Sequence, residues 1–395
     1  ETVAEPEPTP PTTRNTGRRL TQEDFLYDID FLMQTLEENF PFAGVAERMT
    51  GSYRPFDTLR DNLLLQSYRL NRLTFESRIN NGFRNLFDGL AHLAINPDYA
   101  TTLQSLNLIS HARVPHSSRV SFNIPIQFSP RIIEENKIAL IPVPPQFFNQ
   151  GIPDPFIMRE VQDFIAKIQG YEHVILDMRH LGGGFLDSSV TTFISPNISE
   201  PLIFQEFAFI ANGEIARNTY ETRLRATRLQ RRNTGFLFRS VFDSPLVPAA
   251  EFAEQHNLVN MNQDDLQSLA YGFILETTIA NAPTGNLRRS LLADNIWLLI
   301  GPNNGSAGAI FANIAKEAGF TLVGEQTRHW NSDGRASFAL PRTGHVIFMD
   351  TFYITDNTGR NIEEFPPEPH YFNRPGMDAL QTTLAIIAER AEQQE

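Results

Sequence analysis

Ile300-Gly301-Pro302-Asn303-Asn304-Gly305-Ser306-Ala307-Gly308-Ala309-Ile310 reads as an apolar strand that ends in a Gly/Asn/Pro loop, followed by a serine and small residues that open a helix. This pattern puts Ser306 Oγ at a helix N-terminus, where backbone N–H groups and the helix dipole can stabilise an oxyanion. A serine that only caps its helix would give the same local pattern. Working outward, β-type runs at Lys137–Val143, His173–Met178, Asn295–Gly301, Thr321–Glu325 and His345–Ile354 surround helical stretches at Pro155–Ile168 and Ala307–Ala318. Strands alternating with helices predict α/β layers. The run Val174-Ile175-Leu176-Asp177-Met178-Arg179-His180-Leu181-Gly182-Gly183-Gly184 takes a buried strand into three glycines, which let a backbone approach a ligand or aim its N–H groups at one. It lacks the spacing and lysine of a phosphate-binding loop.

Upstream, Phe25, Ile29, Leu32, Leu36 and Phe40 recur at helical spacing behind Thr21, a plausible N-cap. A second helix is expected from about Asp57 to Leu73. A third, from Thr74, carries Ile79, Phe83, Leu86 and Leu90 on one face. The expected organisation is a tail over 1–19, a helical domain over 20–115 and an α/β core over 116–395. Residues 200–290 resist assignment, apart from a basic helix or loop at Arg223–Arg232, and an amphipathic helix is expected from about Met377 to Ala391.

The 395 residues are 41% apolar and 11% aromatic, with 31 Phe, which excludes a wholly disordered chain. No apolar run approaches the roughly 20 residues that span a bilayer. Net charge is −13, so no basic face for nucleic acid is expected. Cysteine is absent, which removes disulfides, thiol nucleophiles and Cys-ligated metals. The tail is rich in Pro, Thr and Glu and is expected to be a flexible linker. The chain begins at Glu1 without methionine, which fits a removed leader or a trimmed chain. Secretion or envelope anchoring, with a lipid anchor through such a leader, is the expectation.

The serine and glycine segments together resemble the C-terminal processing (tail-specific) serine peptidases, a family that includes the tricorn core protease. Asp177-Met178-Arg179 with the glycines matches the family's first motif. Ser306-Ala307, followed by Gly324-Glu325-Gln326-Thr327, matches the second. Phe87-Asp88-Gly89-Leu90-Ala91-His92-Leu93 is similar to an earlier family motif, and Gly359 to Pro369 to a late one. No PDZ-type insertion is recognised between His92 and Asp177. The resemblance implies a crotonase-like α/β core preceded by a helical bundle, no cofactor, and a polypeptide substrate.

The family uses either a Ser–Lys dyad or a Ser–His–Glu network. The chain has three lysines, Lys137, Lys167 and Lys316, and none stands where the dyad needs one; Lys316 lies about three helical turns past Ser306. The tricorn-like arrangement implies Ser306 as nucleophile, His92 as general base and Glu363 as acidic partner. Gly183 and Ala307 would then supply the oxyanion hole. The chemistry is coherent: a neutral imidazole can take the serine proton, and a carboxylate can orient the ring. His92 could instead satisfy helix-end carbonyls, and Glu363 could be a solvated loop charge. His180 is a lesser candidate for substrate contact. His111 and His116 compete for the role of base; they lack a third metal ligand, and no metal site is expected. Leu181, Ala91 and Arg328-His329-Trp330 depart from the family pattern. These departures keep open a diverged specificity, or an inactive peptidase-fold module that binds a peptide or an apolar small molecule.

Overall fold

The computed structural model describes residues 19–65, 67–96, 128–149, 154–230, 238–241, 244–282, 296–329 and 333–393. The expectations for residues 1–18, for His111 and His116, for the 115/116 boundary and for Trp330 lie outside them.

Helix α1 (Gln22–Asn39) starts where Thr21 predicts. The Thr21 hydroxyl accepts from the Asp24 N–H and the Asp24 carboxylate accepts from the Thr21 N–H, a capping box. Helices α2 (Ala43–Thr50), α3 (Pro55–Leu64) and α4 (Arg72–Phe87) follow. The single helix expected over 57–73 is in fact interrupted. A second capping box, between Asn71 and Thr74, starts α4 inside that range.

Among the described residues, two sheets lie beyond these helices. The first has six strands: β2 (Arg131–Glu134), β3 (Ile138–Pro142), β4 (His173–Asp177), β9 (Ile296–Ile300), β10 (Thr321–Gly324) and β13 (Tyr371–Phe372). Their order is β13-β10-β9-β4-β3-β2, parallel except for β2 against β3. Helices Pro155–Lys167 and Ala307–Glu317 follow β3 and β9 in sequence, as an α/β crossover pattern requires. All five residues of β9 are buried, which is why its sequence runs apolar without alternation.

The second sheet is antiparallel and, among the described residues, has seven strands. Its main path is β1 (Ala94–Asn96), β12 (Val346–Thr355), β5 (Leu202–Ile210), β8 (Tyr271–Ile279) and β6 (Phe238–Val241). Strand β11 (Asp333–Ala339) pairs with β12, and β7 (Val247–Pro248) pairs with β8. The span 200–290 that resists reading holds β5, β6, β7 and β8 among its described residues, together with the helices Glu214–Gln230, Ala249–Gln255 and Gln263–Ser268. Strand β5 alternates only at first and then buries four consecutive residues, so the period-2 signal is lost.

Phe25, Ile29, Leu32, Phe42 and Phe87 of the helical region share one core with Phe207, Phe209, Ile347, Met349 and Tyr353 of the second sheet. The helices thus close their core against that sheet. Among the described residues, no helix is long and apolar enough to cross a membrane.

Candidate active site

Strand β9 delivers the chain to a turn that Asn304 ties together. Its side chain is fully buried; Oδ1 accepts from the Gly301 N–H at 2.8 Å. Its Nδ2 donates to the carbonyls of Met178 at 2.6 Å and Leu181 at 2.7 Å. One amide thus clamps the serine loop to the glycine turn. Ser306 follows at φ 51°, ψ −126°, a left-handed setting that is unusual and costly for a residue with a Cβ. The helix Ala307–Glu317 begins immediately after it, and Ser306 makes no side-chain cap hydrogen bond. The plain N-cap reading therefore does not describe this serine.

Gly183 lies directly against Ser306. A Cβ at Gly183 would stand 2.4 Å from Ser306 Cβ and 3.0 Å from Oγ. A Cβ at Gly308 would stand 2.5 Å from the Gly182 carbonyl oxygen. The glycine turn and the helix start therefore approach closer than any side chain would allow. Asp177 and Arg179 have a structural part. The Arg179 guanidinium bonds both Asp177 oxygens, at 2.9 and 2.7 Å, and reaches Asp378 at 3.1 Å, the N-cap of the last helix, Ala379–Glu392.

His92 comes from the other sheet. It stands at the end of a turn in which Asp88, Gly89, Ala91 and His92 all have positive φ. The antiparallel register pairs Ala94 with Phe348, so the turn before β1 runs beside the stretch of β12 that carries Asp350. The His92 Nδ1 contacts Asp350 Oδ2. Asp350 is 1% exposed, and Arg335, its partner on β11, places Nε 3.4 Å from Oδ1. Asp350 was not anticipated from the sequence. The available signal was a single carboxylate inside an otherwise uncharged, buried ten-residue strand, a costly placement without partners.

The serine and histidine loops are bridged by one segment. The Arg328 N–H donates to the Asn304 carbonyl at 2.8 Å, and His329 Nε2 lies 3.2 Å from the Asp88 carbonyl. Arg328 and His329, departures from the family pattern, thus connect the serine loop with the turn that carries His92. Glu363 is fully buried, and its N–H donates to Asn361 Oδ1 at 3.0 Å in the turn after β12. His180 is exposed. Lys316 Nζ donates to the Glu368 carbonyl at 3.2 Å and Lys137 pairs with Glu134 at 2.7 Å.

An α/β fold with these two loops defines a class of protein, and the sequence matches the corresponding family. The model of peptidase family S41 matches residues 148–371, and the chain belongs to that family. Among solved structures it is similar to a candidate peptidase from Parabacteroides merdae ATCC 43184, at 12% identity and TM-score 0.55, over 93% of this chain and 96% of that one. It is also similar to mature CPAF complexed with lactacystin, at 13% identity and TM-score 0.55, over 89% of this chain and 94% of that one. These likenesses show the fold. No curated protein matches the sequence.

Proposed function

We propose that this chain is a serine endopeptidase that cleaves unstructured polypeptide segments through an acyl-enzyme on Ser306. The observation that carries the reading is the strained Ser306 backbone at a helix start, with Gly183 pressed against it. Strain held in place by a buried clamp is typical of functional sites. His92 would take the Oγ proton as Oγ bonds to the scissile carbon. The carbonyl electron pair would then move to oxygen, facing the N–H groups of Gly183 and Ala307. Collapse would expel the amine, which recovers the proton from His92, and water would repeat the steps on the ester. Glu363, buried and close in sequence to β12, is proposed as a further acidic member of the network. Substrate would add as an extended strand to a sheet edge. Secretion or envelope anchoring is proposed from the Pro/Thr/Glu-rich tail.

The test is labelling of the folded chain with a fluorophosphonate, followed by peptide mass spectrometry. An adduct on Ser306 that is absent in Ser306→Ala and strongly slowed in His92→Ala is expected. Folded protein that takes up no label on Ser306 would overturn the reading.

A further inference from the structure

We infer that Asp350, held by Arg335, is the carboxylate that orients His92. The inference rests on the reading of His92 as the base. Three residues meet in sequence: His92 stands in the turn just before β1, Asp350 lies on β12, and Arg335 faces Asp350 across the β11–β12 pairing. The two oxygens of Asp350 face different partners, Oδ2 meeting His92 Nδ1 and Oδ1 lying 3.4 Å from Arg335 Nε. A carboxylate only 1% exposed needs such partners to keep its charge. Strand pairing sets where the carboxylate stands, so the imidazole is aimed by a rigid element. With Nδ1–H donating to Asp350, Nε2 carries the lone pair that a general base needs, and Asp350 stays ionised while imidazolium forms. Arg335 is a positioning residue that acts through Asp350.

Two measurements on the full chain test this. The first is the His92 tautomer, read by NMR of ring ¹⁵N with His92→Ala for assignment. Nδ1–H is expected in the unmodified chain, with a shift toward Nε2–H in Asp350→Asn and no change in Glu363→Gln. The second is the fluorophosphonate labelling rate against pH. Asp350→Asn is expected to slow it about 10²–10⁴-fold, and Asp350→Glu to recover part of the loss. Arg335→Gln, altered at a more exposed side chain, should slow it several-fold while the fold persists, with partial rescue by Arg335→Lys. An unchanged tautomer in Asp350→Asn, or a tautomer that moves with Glu363→Gln instead, would overturn the inference. A chain that never labels would sink the peptidase reading alone, because the tautomer still reports which carboxylate holds His92.

Discussion

Gly183 and Gly182 are neighbours in one turn, yet their surroundings differ sharply. A methyl at Gly183 would meet Ser306 Cβ at 2.4 Å and the Gly305 carbonyl oxygen at 2.9 Å, whereas one at Gly182 would meet nothing within 4 Å. Neither residue has a positive φ, so the contrast is steric and does not arise from backbone preference. Gly183→Ala is expected to slow Ser306 labelling about 10²-fold or more, the loss typical of a displaced oxyanion donor. Gly182→Ala should leave both labelling rate and Tm close to the parent values. The serine and the glycines were legible in the sequence because a strand, a loop and a helix start are local patterns. Asp350 was not, because its meeting with His92 is created by strand pairing across most of the chain.

At the scale of elements, the β11–β12 hairpin carries Asp350, and its turn is held by α1. Asp28, fully buried on α1, accepts from the N–H groups of Arg342 at 2.9 Å and Thr343 at 2.7 Å. Asp28→Ala would leave these donors unpaired and is expected to cost about 2–3 kcal/mol in urea unfolding. His345 ends the same turn, 5% exposed, with its ring edge-on to Phe75 and Nδ1 without a hydrogen bond. Burial, and then the charge of Arg72, lower its pKa to about 4 from the ordinary 6.5. Glu76 lies 3.9 Å away, too far to reverse this with a hydrogen bond. Between these two values the unfolded chain binds a proton that the folded chain refuses. Stability therefore rises with pH from about 4 to about 6.5, by about 3 kcal/mol from this group. His345→Phe should flatten that limb, measured by urea unfolding at pH 4.5, 5.5 and 7. The strands of both sheets that run as continuous apolar stretches were legible; β5, β8 and α2 were not. Their signals depend on which face the rest of the molecule covers.

At the scale of the molecule, one junction ties the helical region to the second sheet. Arg48 of α2 bonds Asp265 at 2.6 and 3.2 Å and Glu364 at 2.9 Å, and the Tyr353 hydroxyl donates to Asp265 at 2.7 Å. Burial works against the Arg48 charge, but the two carboxylates outweigh it and hold its pKa above the ordinary value. Burial, and then Asp265, push the Tyr353 phenol well above its usual range, so it remains a donor. Arg48→Met would strand the Asp265 charge and is expected to destabilise the chain by about 3–5 kcal/mol. Adding Asp265→Asn should restore a substantial part, read as coupling in a double-mutant cycle by denaturant unfolding.

The bridge through Arg328 and His329 has a consequence for the life of a newly made chain. His92 belongs to the part synthesised first, and Ser306 to a loop that emerges more than two hundred residues later. On the proposed reading, neither half can attack a peptide bond alone. A growing chain is itself an unstructured polypeptide, the very substrate such a peptidase would take. Dividing the chemistry between two sheets delays it until the chain has folded beyond its own reach.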